Sequence, residues 1–423
     1  MSRSATISPW RRRSSSFPRS PKIRTNMADE GSIAIGWRLG SLSGWGVYGT
    51  NLALELQRMG RNPVLLAAPH RLDLDGAAAA ALKPAFQRQQ HLEELIGKVG
   101  VLEFDFPVLH SLRNDFQPAL DRQIARGSRN VGVIFFEDTQ FSQEGLARAG
   151  EYDLIVTGST WNRDILVGRG LTHVVNVFQG VDTGLFQAQN KDKPKKDTYP
   201  GRFVVFSGGK LEYRKAQDVV IAAFREFHAR HPDALLIFAW GNQWPRIMPT
   251  IARSPFTDGA PDIGGDGAIK IGPWLENNGL KRQSFVDLGM PANRLMPDIL
   301  ASADAAIFAN RCEPGTNLVA MESLAAGVPS VIAMNTGQLD IADPGHSYPL
   351  HQQSPVEPYP PYQGTQGWME PSVDEVIERL EEIHAEPDQA SARGRAAAAF
   401  MRGFSWSSQI AELAAAIDAL DGA

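Results

Sequence analysis

Eight residues separate Glu313 from Glu322 in the stretch RCEPGTNLVAMESLAAGVPSVIAM. Glu322 is the only charged residue between Leu318 and Ala333. A carboxylate in so apolar a setting is costly unless donors meet it. Those donors are either protein groups, an arginine or backbone amides, or the hydroxyls of a ligand. Glu313 precedes the helix in a loop at a strand's carboxyl end, the edge where open α/β sheets bind ligands. The amides of Gly315, Thr316 and Asn317 start that helix and suit a phosphate. The stretch thus offers an anion seat and two carboxylates, which match a diphosphate and the hydroxyls of a ribose and a hexose. Cys312, beside Glu313, reads as a small buried hydrophobe.

Two lysines could serve the same anion. Gly208-Gly209-Lys210 follows a strand, and Lys215 precedes the next helix. Read alone, each is a solvated surface lysine; beside a cleft phosphate, both would meet it. In the first half, Gly44-Trp45-Gly46 stands in the loop RLGSLSGWGVYG that leads into the first helix, and glycines there admit a ligand to the backbone. The full dinucleotide fingerprint is missing, and no acidic residue ends the second strand, which argues against NAD. His110, Glu137 and Asp138 stand at the ends of two further strands. His110 is read either as a cleft group or as a satisfied structural histidine.

The elements that must position these residues alternate between short apolar runs and helical patterns. Strands are expected at 32–37, 62–68, 101–110, 129–139 and 153–157, with a first helix over 50–59 whose Leu52, Leu56 and Met59 face the sheet. A helix follows a cap at Ser159 or Thr160. A second strand–loop–helix–strand unit begins at Arg202, its helix carrying Val220, Ala223, Phe224 and Phe227 on one face. DAAIFAN (304–310) reads as a buried strand, Asn317 as the cap of a helix over 318–326, Gly327 and Pro329 as its stop, and SVIAM as the next strand. Asp298 reads as a helix cap. Residues 246–282 form a long connection, 351–368 a proline-rich loop and 373–387 an amphipathic helix.

EPGTNLVAMESLAAGVPSVIA resembles the donor-site signature of glycosyltransferase family 4, in the glycosyl transferases group 1 set with the GT-B fold. The family pattern places seven residues between its two glutamates; this chain has eight. The resemblance implies that Glu322 binds ribose hydroxyls and that Glu313 contacts the donor sugar or its phosphate. It also implies that Lys210 and Lys215 bind the donor diphosphate, with Lys210 where the family usually has arginine. Gly44, Gly46 and Gly209 then lie near the donor phosphates. Members often carry a cleft histidine after the strand matching VGVIFF; Glu137-Asp138 stand there instead, so that role does not transfer and His110 is a substitute candidate. STWNRDIL, QGVDTGLF and FSWSSQIAEL are similar to further family segments. In the last of these a tryptophan-bearing helix packs back across the first domain, making Trp406 core.

The expected fold class is therefore α/β, with two Rossmann-like domains facing across a cleft. The expected division is a disordered extension over 1–28, an acceptor domain over 29–189, a linker over 190–202, a donor domain over 203–400 and a returning helix over 401–423. The chain has 423 residues; its net charge of −5 argues against nucleic acid as the main partner, and its single cysteine, Cys312, excludes an intramolecular disulfide. No apolar run reaches the ~18 residues of a spanning helix. Residues 1–28 hold Ser, Arg and Pro with no acid and lack the apolar stretch of a secretory signal, with Met27 a candidate start.

The resemblance implies a retaining glycosyltransferase that uses a UDP-, GDP- or ADP-sugar without a metal. Its acceptor would be a carbohydrate, lipid-linked or small-molecule hydroxyl, as in cell-envelope or exopolysaccharide synthesis. The expected location is the cytoplasm, with peripheral membrane contact left open. A nucleotide-sugar epimerase, a phosphorylase and a non-catalytic binding partner are the alternatives on the same fold. Residues 68–95 and 139–150 carry no diagnostic pattern.

Overall fold

Parallel strands buried on both faces need near-continuous apolar runs, and the chain supplies two sets of them. The computed structural model describes residues 23–24, 31–99, 102–120, 125–188, 198–243 and 246–421. In the first domain Ser32–Gly36 (β1), Asn62–Leu65 (β2), Val108–Leu112 (β3), Asn130–Ile134 (β4), Leu154–Thr157 (β5) and Val174–Asn176 (β6) form one sheet. Its order is β2-β1-β3-β4-β5-β6, and every pairing is parallel. In the second domain Phe203–Lys210 (β7), Ala234–Gly241 (β8), Phe285–Asp287 (β9), Ala305–Phe308 (β10), Ser330–Ala333 (β11) and Tyr348–Leu350 (β12) form another. Its order is β9-β8-β7-β10-β11-β12, again all parallel. The order reverses between β1 and β3 and between β7 and β10, and ligands of such sheets bind where it reverses.

Several expectations need correction. The run 101–110 is two elements: Leu102–Glu103 leaves for a small sheet with Ile23–Arg24 and Ala125–Arg126, and only Val108–Leu112 joins the main sheet. Pro107, which has no amide hydrogen, divides them. Ile23–Arg24 lies inside the stretch read as a disordered extension, and it pairs in register with Leu102–Glu103. The first helix begins at Gly44 rather than Thr50 and runs to Arg58, because the Ser43 hydroxyl accepts from the Gly46 amide and caps it. Leu52 and Leu56 are buried, but Met59 caps the helix and is exposed. Gly76–Val99 is a long helix begun by an alanine run, which sequence patterning did not single out. Asp298 sits in the first turn of Met296–Ala301, while Leu295 holds the cap position. Residues 190–197 of the linker lie outside the described residues.

The chain's last long helix, Trp406–Asp418, belongs to the first domain's core. Trp406 stacks on Tyr48 with ring centroids 5.7 Å apart, and Ile410, Leu413 and Ile417 are buried with it. No helix among the described residues is long and apolar enough to cross a membrane.

Candidate functional site

At the second reversal the ends of β7 and β10 lie side by side, and each carries a charged turn. After β7 comes the short turn Tyr213–Lys215, then the helix Gln217–Arg230, whose Val220, Ala223, Phe224 and Phe227 are all buried. Gly209, still in β7, has φ +141, which side chains other than glycine's rarely adopt, and a Cβ there would face the Lys215 stem at 3.8 Å. After β10 comes Asn310 to Asn317, then the helix Leu318–Ala325.

The two turns are joined by charge. The Lys215 ammonium pairs with Glu313 Oε2, which also accepts from Asn310 Nδ2 at 2.7 Å. The Glu313 amide is fixed by the Thr336 hydroxyl at 2.8 Å. Lys210 Nζ lies 3.1 Å from Glu212 Oε1. Arg214, absent from the sequence-level candidates, is the buried centre: its guanidinium meets Glu212 at 2.6 Å, Glu137 of the first domain at 3.2 Å and the Cys312 carbonyl at 3.1 Å. Burial pushes the Glu212 carboxyl up, but Arg214, Lys210 and Lys215 outweigh it and hold the group below the usual range. Burial lowers the Lys215 ammonium below its ordinary value, with Glu313 opposing. Burial drives the Cys312 thiol well up, in keeping with an unreactive core residue.

Asn317 caps its helix: its Oδ1 accepts from the Ala320 amide at 3.4 Å, at a backbone φ of 64. Among the described residues its Nδ2 is buried without a partner. Among the described residues the amides of Gly315, Thr316 and Asn317 donate to no protein acceptor, and the Thr316 hydroxyl turns inward to Met321 Sδ at 2.9 Å. One helix start therefore presents four donors with unspent capacity, two residues from Glu313.

Glu322 is 5% exposed, and among the described residues it has neither an arginine nor a backbone amide as partner. Its Oε1 instead accepts from Asn293 Nδ2 at 2.5 Å. Burial raises its pKa to about 8, with the Asn293 bond opposing. Asn293 also ties the domains together, because its amide donates to the Ser41 carbonyl at 3.0 Å.

The first domain closes over this edge. Gly44 is exposed at its helix start, and a Cβ there would lie 3.7 Å from Leu318. Gly46 does not reach the cleft. It is buried, and a Cβ there would lie 3.0 Å from the Gly40 backbone, so its smallness is a packing need. Gly315 packs on Gln179 and Phe135. Ser159 Oγ donates to the Pro314 carbonyl at 2.7 Å, and Asp340 accepts from the Thr160 amide and hydroxyl at 2.9 and 2.6 Å. Asp138 accepts from the Gln363 and Gly364 amides at 2.9 and 2.7 Å, and Trp368 Nε1 donates to the Glu137 carbonyl at 3.0 Å. The proline-rich loop is thus a strap that grips the 137–139 turn.

His110 is corrected. β3 runs on to Leu112, so His110 is an interior strand residue whose Nε2 meets Asn130 Oδ1 at 3.1 Å and whose ring packs on Tyr152. Burial lowers its pKa. It fits a satisfied structural histidine and stands apart from the Lys215–Glu313 cluster.

Sequence reasoning missed Arg214, Glu212 and Asn293. The first two had a signal, the charge-dense LEYRK between strand and helix. Asn293 had none, because nothing in its own segment points to a carboxylate 29 residues on.

Residues 188–355 match the family model described as Glycosyl transferases group 1. The chain superposes on a sucrose-phosphate synthase from Thermosynechococcus elongatus with a TM-score of 0.62 at 14% identity, covering 93% of this chain and 100% of that one. It superposes on Anabaena HepE in complex with UDP and glucose with a TM-score of 0.59 at 14% identity, covering 92% and 100%. A glycosyltransferase from Rickettsia africae gives 0.57 at 11% identity, covering 93% and 99%. No curated protein matches the sequence. At these identities the likeness establishes the fold, which is GT-B.

Proposed function

We propose, from the premise that this chain is a GT-B glycosyltransferase with a group 1 domain over residues 188–355, that it moves a sugar from a nucleoside-diphosphate sugar to a hydroxyl acceptor with retention of configuration. The observation that carries the donor reading is the set of unspent donors at the head of Leu318–Ala325, beside Lys215. The amides of Gly315, Thr316 and Asn317, the Asn317 side chain, Lys215 and Lys210 together suit a diphosphate. HepE, a structural neighbour, is described in complex with UDP-glucose, which favours a uridine donor. Glu322 takes the ribose hydroxyls in exchange for Asn293. Glu313 takes the donor sugar while Lys215 holds it in place.

Developing charge on the leaving diphosphate is met by these preorganised donors, and a donor phosphate oxygen takes the acceptor proton. The two lysines and the amides supply the charge stabilisation that a metal would otherwise give. The acceptor is a carbohydrate, lipid-linked or small-molecule hydroxyl, and a role in cell-envelope or exopolysaccharide synthesis fits it. The test is release of UDP from UDP-sugars with and without sugar acceptors, with Lys215→Ala as control. Acceptor-dependent release that Lys215→Ala abolishes supports transfer. Release of UDP in one wild-type turnover without any acceptor, leaving an altered free sugar, would instead favour an epimerase.

A further inference from the structure

Arg311 is fully buried two residues before Glu313 and takes no part in the cluster described above. A buried guanidinium is tolerated only when its donors are met, and this one is met by three separate segments. Nη1 and Nη2 make a paired contact with Asp218 at 2.8 and 2.6 Å, at the start of Gln217–Arg230. Nη1 also donates to the Tyr213 carbonyl at 2.7 Å, and Nε donates to Glu370 Oε2 at 2.8 Å, in the short strand Met369–Pro371 that follows the strap. The guanidinium lies 3.8 Å over the Tyr213 ring, and the Tyr213 hydroxyl returns to Glu370 at 3.1 Å. The backbone repeats the pattern: the Arg311 amide donates to the Arg214 carbonyl at 2.9 Å, and its carbonyl accepts from Met369 at 3.0 Å.

The bonds to Asp218, to the Tyr213 carbonyl and to the Arg214 carbonyl fix the loop carrying Glu313 against the turn carrying Lys215, and those to Glu370 and Met369 tie both to the strand that follows the strap. We infer that Arg311 is a positioning residue for the donor diphosphate: it sets the distance between Lys215 and Glu313 at the β7/β10 reversal and locks the strand after the strap to both. This rests on the donor reading proposed above. A bidentate arginine contact is geometrically demanding, and lysine cannot reproduce it. Loosening it would let the Lys215 turn drift while leaving Glu322, on the helix beyond, where it is. The phosphate end of the ligand should suffer and the nucleoside end should not.

The experiment is calorimetric titration of full-length protein with UDP and with UMP, on wild type, Arg311→Lys, Lys215→Ala and the double variant. Arg311→Lys should weaken UDP by about tenfold or more, the size expected for a misplaced charge-assisted contact, and UMP much less. In the Lys215→Ala background the Arg311 effect on UDP should largely vanish, since neighbours acting through one contact are not additive. A merely structural role predicts equal loss of UDP and UMP, or a lower melting temperature with both affinities intact; either result overturns the inference. If Arg311→Lys does not fold, Glu370→Gln, which keeps an acceptor for Nε, decides by the same UDP-to-UMP ratio. Should Lys215→Ala leave UDP binding unchanged, the donor reading itself fails and takes the inference with it; should only the Arg311 and Glu370 variants behave as wild type, the donor reading stands alone.

Discussion

Replacing Glu322 with glutamine should stabilise the nucleotide-free protein, and by an amount that grows with pH. The ordinary carboxyl value is 4.5, and burial raises this one to about 8. Below 4.5 both folded and unfolded states hold the proton, so the group's contribution is then most favourable. From there to about 8 the folded state holds a proton that the unfolded state has lost, so stability falls as pH rises. At about 1.4 kcal/mol per pH unit, the loss is under about 1 kcal/mol at pH 5 and roughly 4 kcal/mol at pH 8. Glutamine has no proton to lose, and its amide oxygen can still accept from Asn293. Urea unfolding of both proteins at pH 5, 6.5 and 8 should therefore show the variant gaining on wild type by several kcal/mol across the range. Other groups cancel in that difference. A difference that stays flat with pH would refute the reasoning and return Glu322 to an ordinary ionised state. The same variant should bind UDP less well, because a neutral amide is a poorer acceptor for ribose hydroxyls than a carboxylate.

Further outcomes follow from the same geometry. UDP binding to wild type at pH 7 should release close to one proton, read from calorimetry in buffers of different ionisation enthalpy; no buffer dependence would contradict hydroxyl donation to Glu322. Lys215→Ala should lose about 10- to 100-fold in UDP affinity and little in UMP affinity, measured by the same titration. Trp406→Ala should cost roughly 3–5 kcal/mol in urea unfolding, because its ring is buried on Tyr48. Donor binding should survive EDTA, since lysines and amides supply the charge; complete loss restored by Mg²⁺ would point to a metal requirement.

The second domain was more legible than the first, for a physical reason. Its strands β10, β11 and β12 are fully buried, its helix carries a regular apolar face, and Asn317, Gly327 and Pro329 punctuate the chain where backbone geometry requires it. Glu322 was conspicuous as a charge in an apolar run, yet its partner was not predictable, because Asn293 reaches it only through the folding of a separate turn. Arg311 was invisible for the same reason. A buried ion pair between residues 93 positions apart leaves no periodic trace. In the first domain the alanine run over 77–81 hid a helix behind bland composition, and His110 looked like a strand-end residue only because β3 was expected to stop early. Glu137 and Asp138 drew notice by departing from a family pattern, but their grip on Arg214 and on the strap depends on how the domains meet.

The proposed nucleoside-diphosphate site lies at the β7/β10 reversal. The most direct measurement is the affinity of wild type, Lys215→Ala and Glu322→Ala for UDP, GDP and ADP by calorimetry. At least one diphosphate should bind wild type and stabilise it by roughly 2.7 kcal/mol at 100 times its dissociation constant. Both variants should lose at least about tenfold in affinity, equivalent to about 1.4 kcal/mol. Wild-type affinity in both variants, or no binding of any of the three to wild type, would contradict a nucleoside-diphosphate site there.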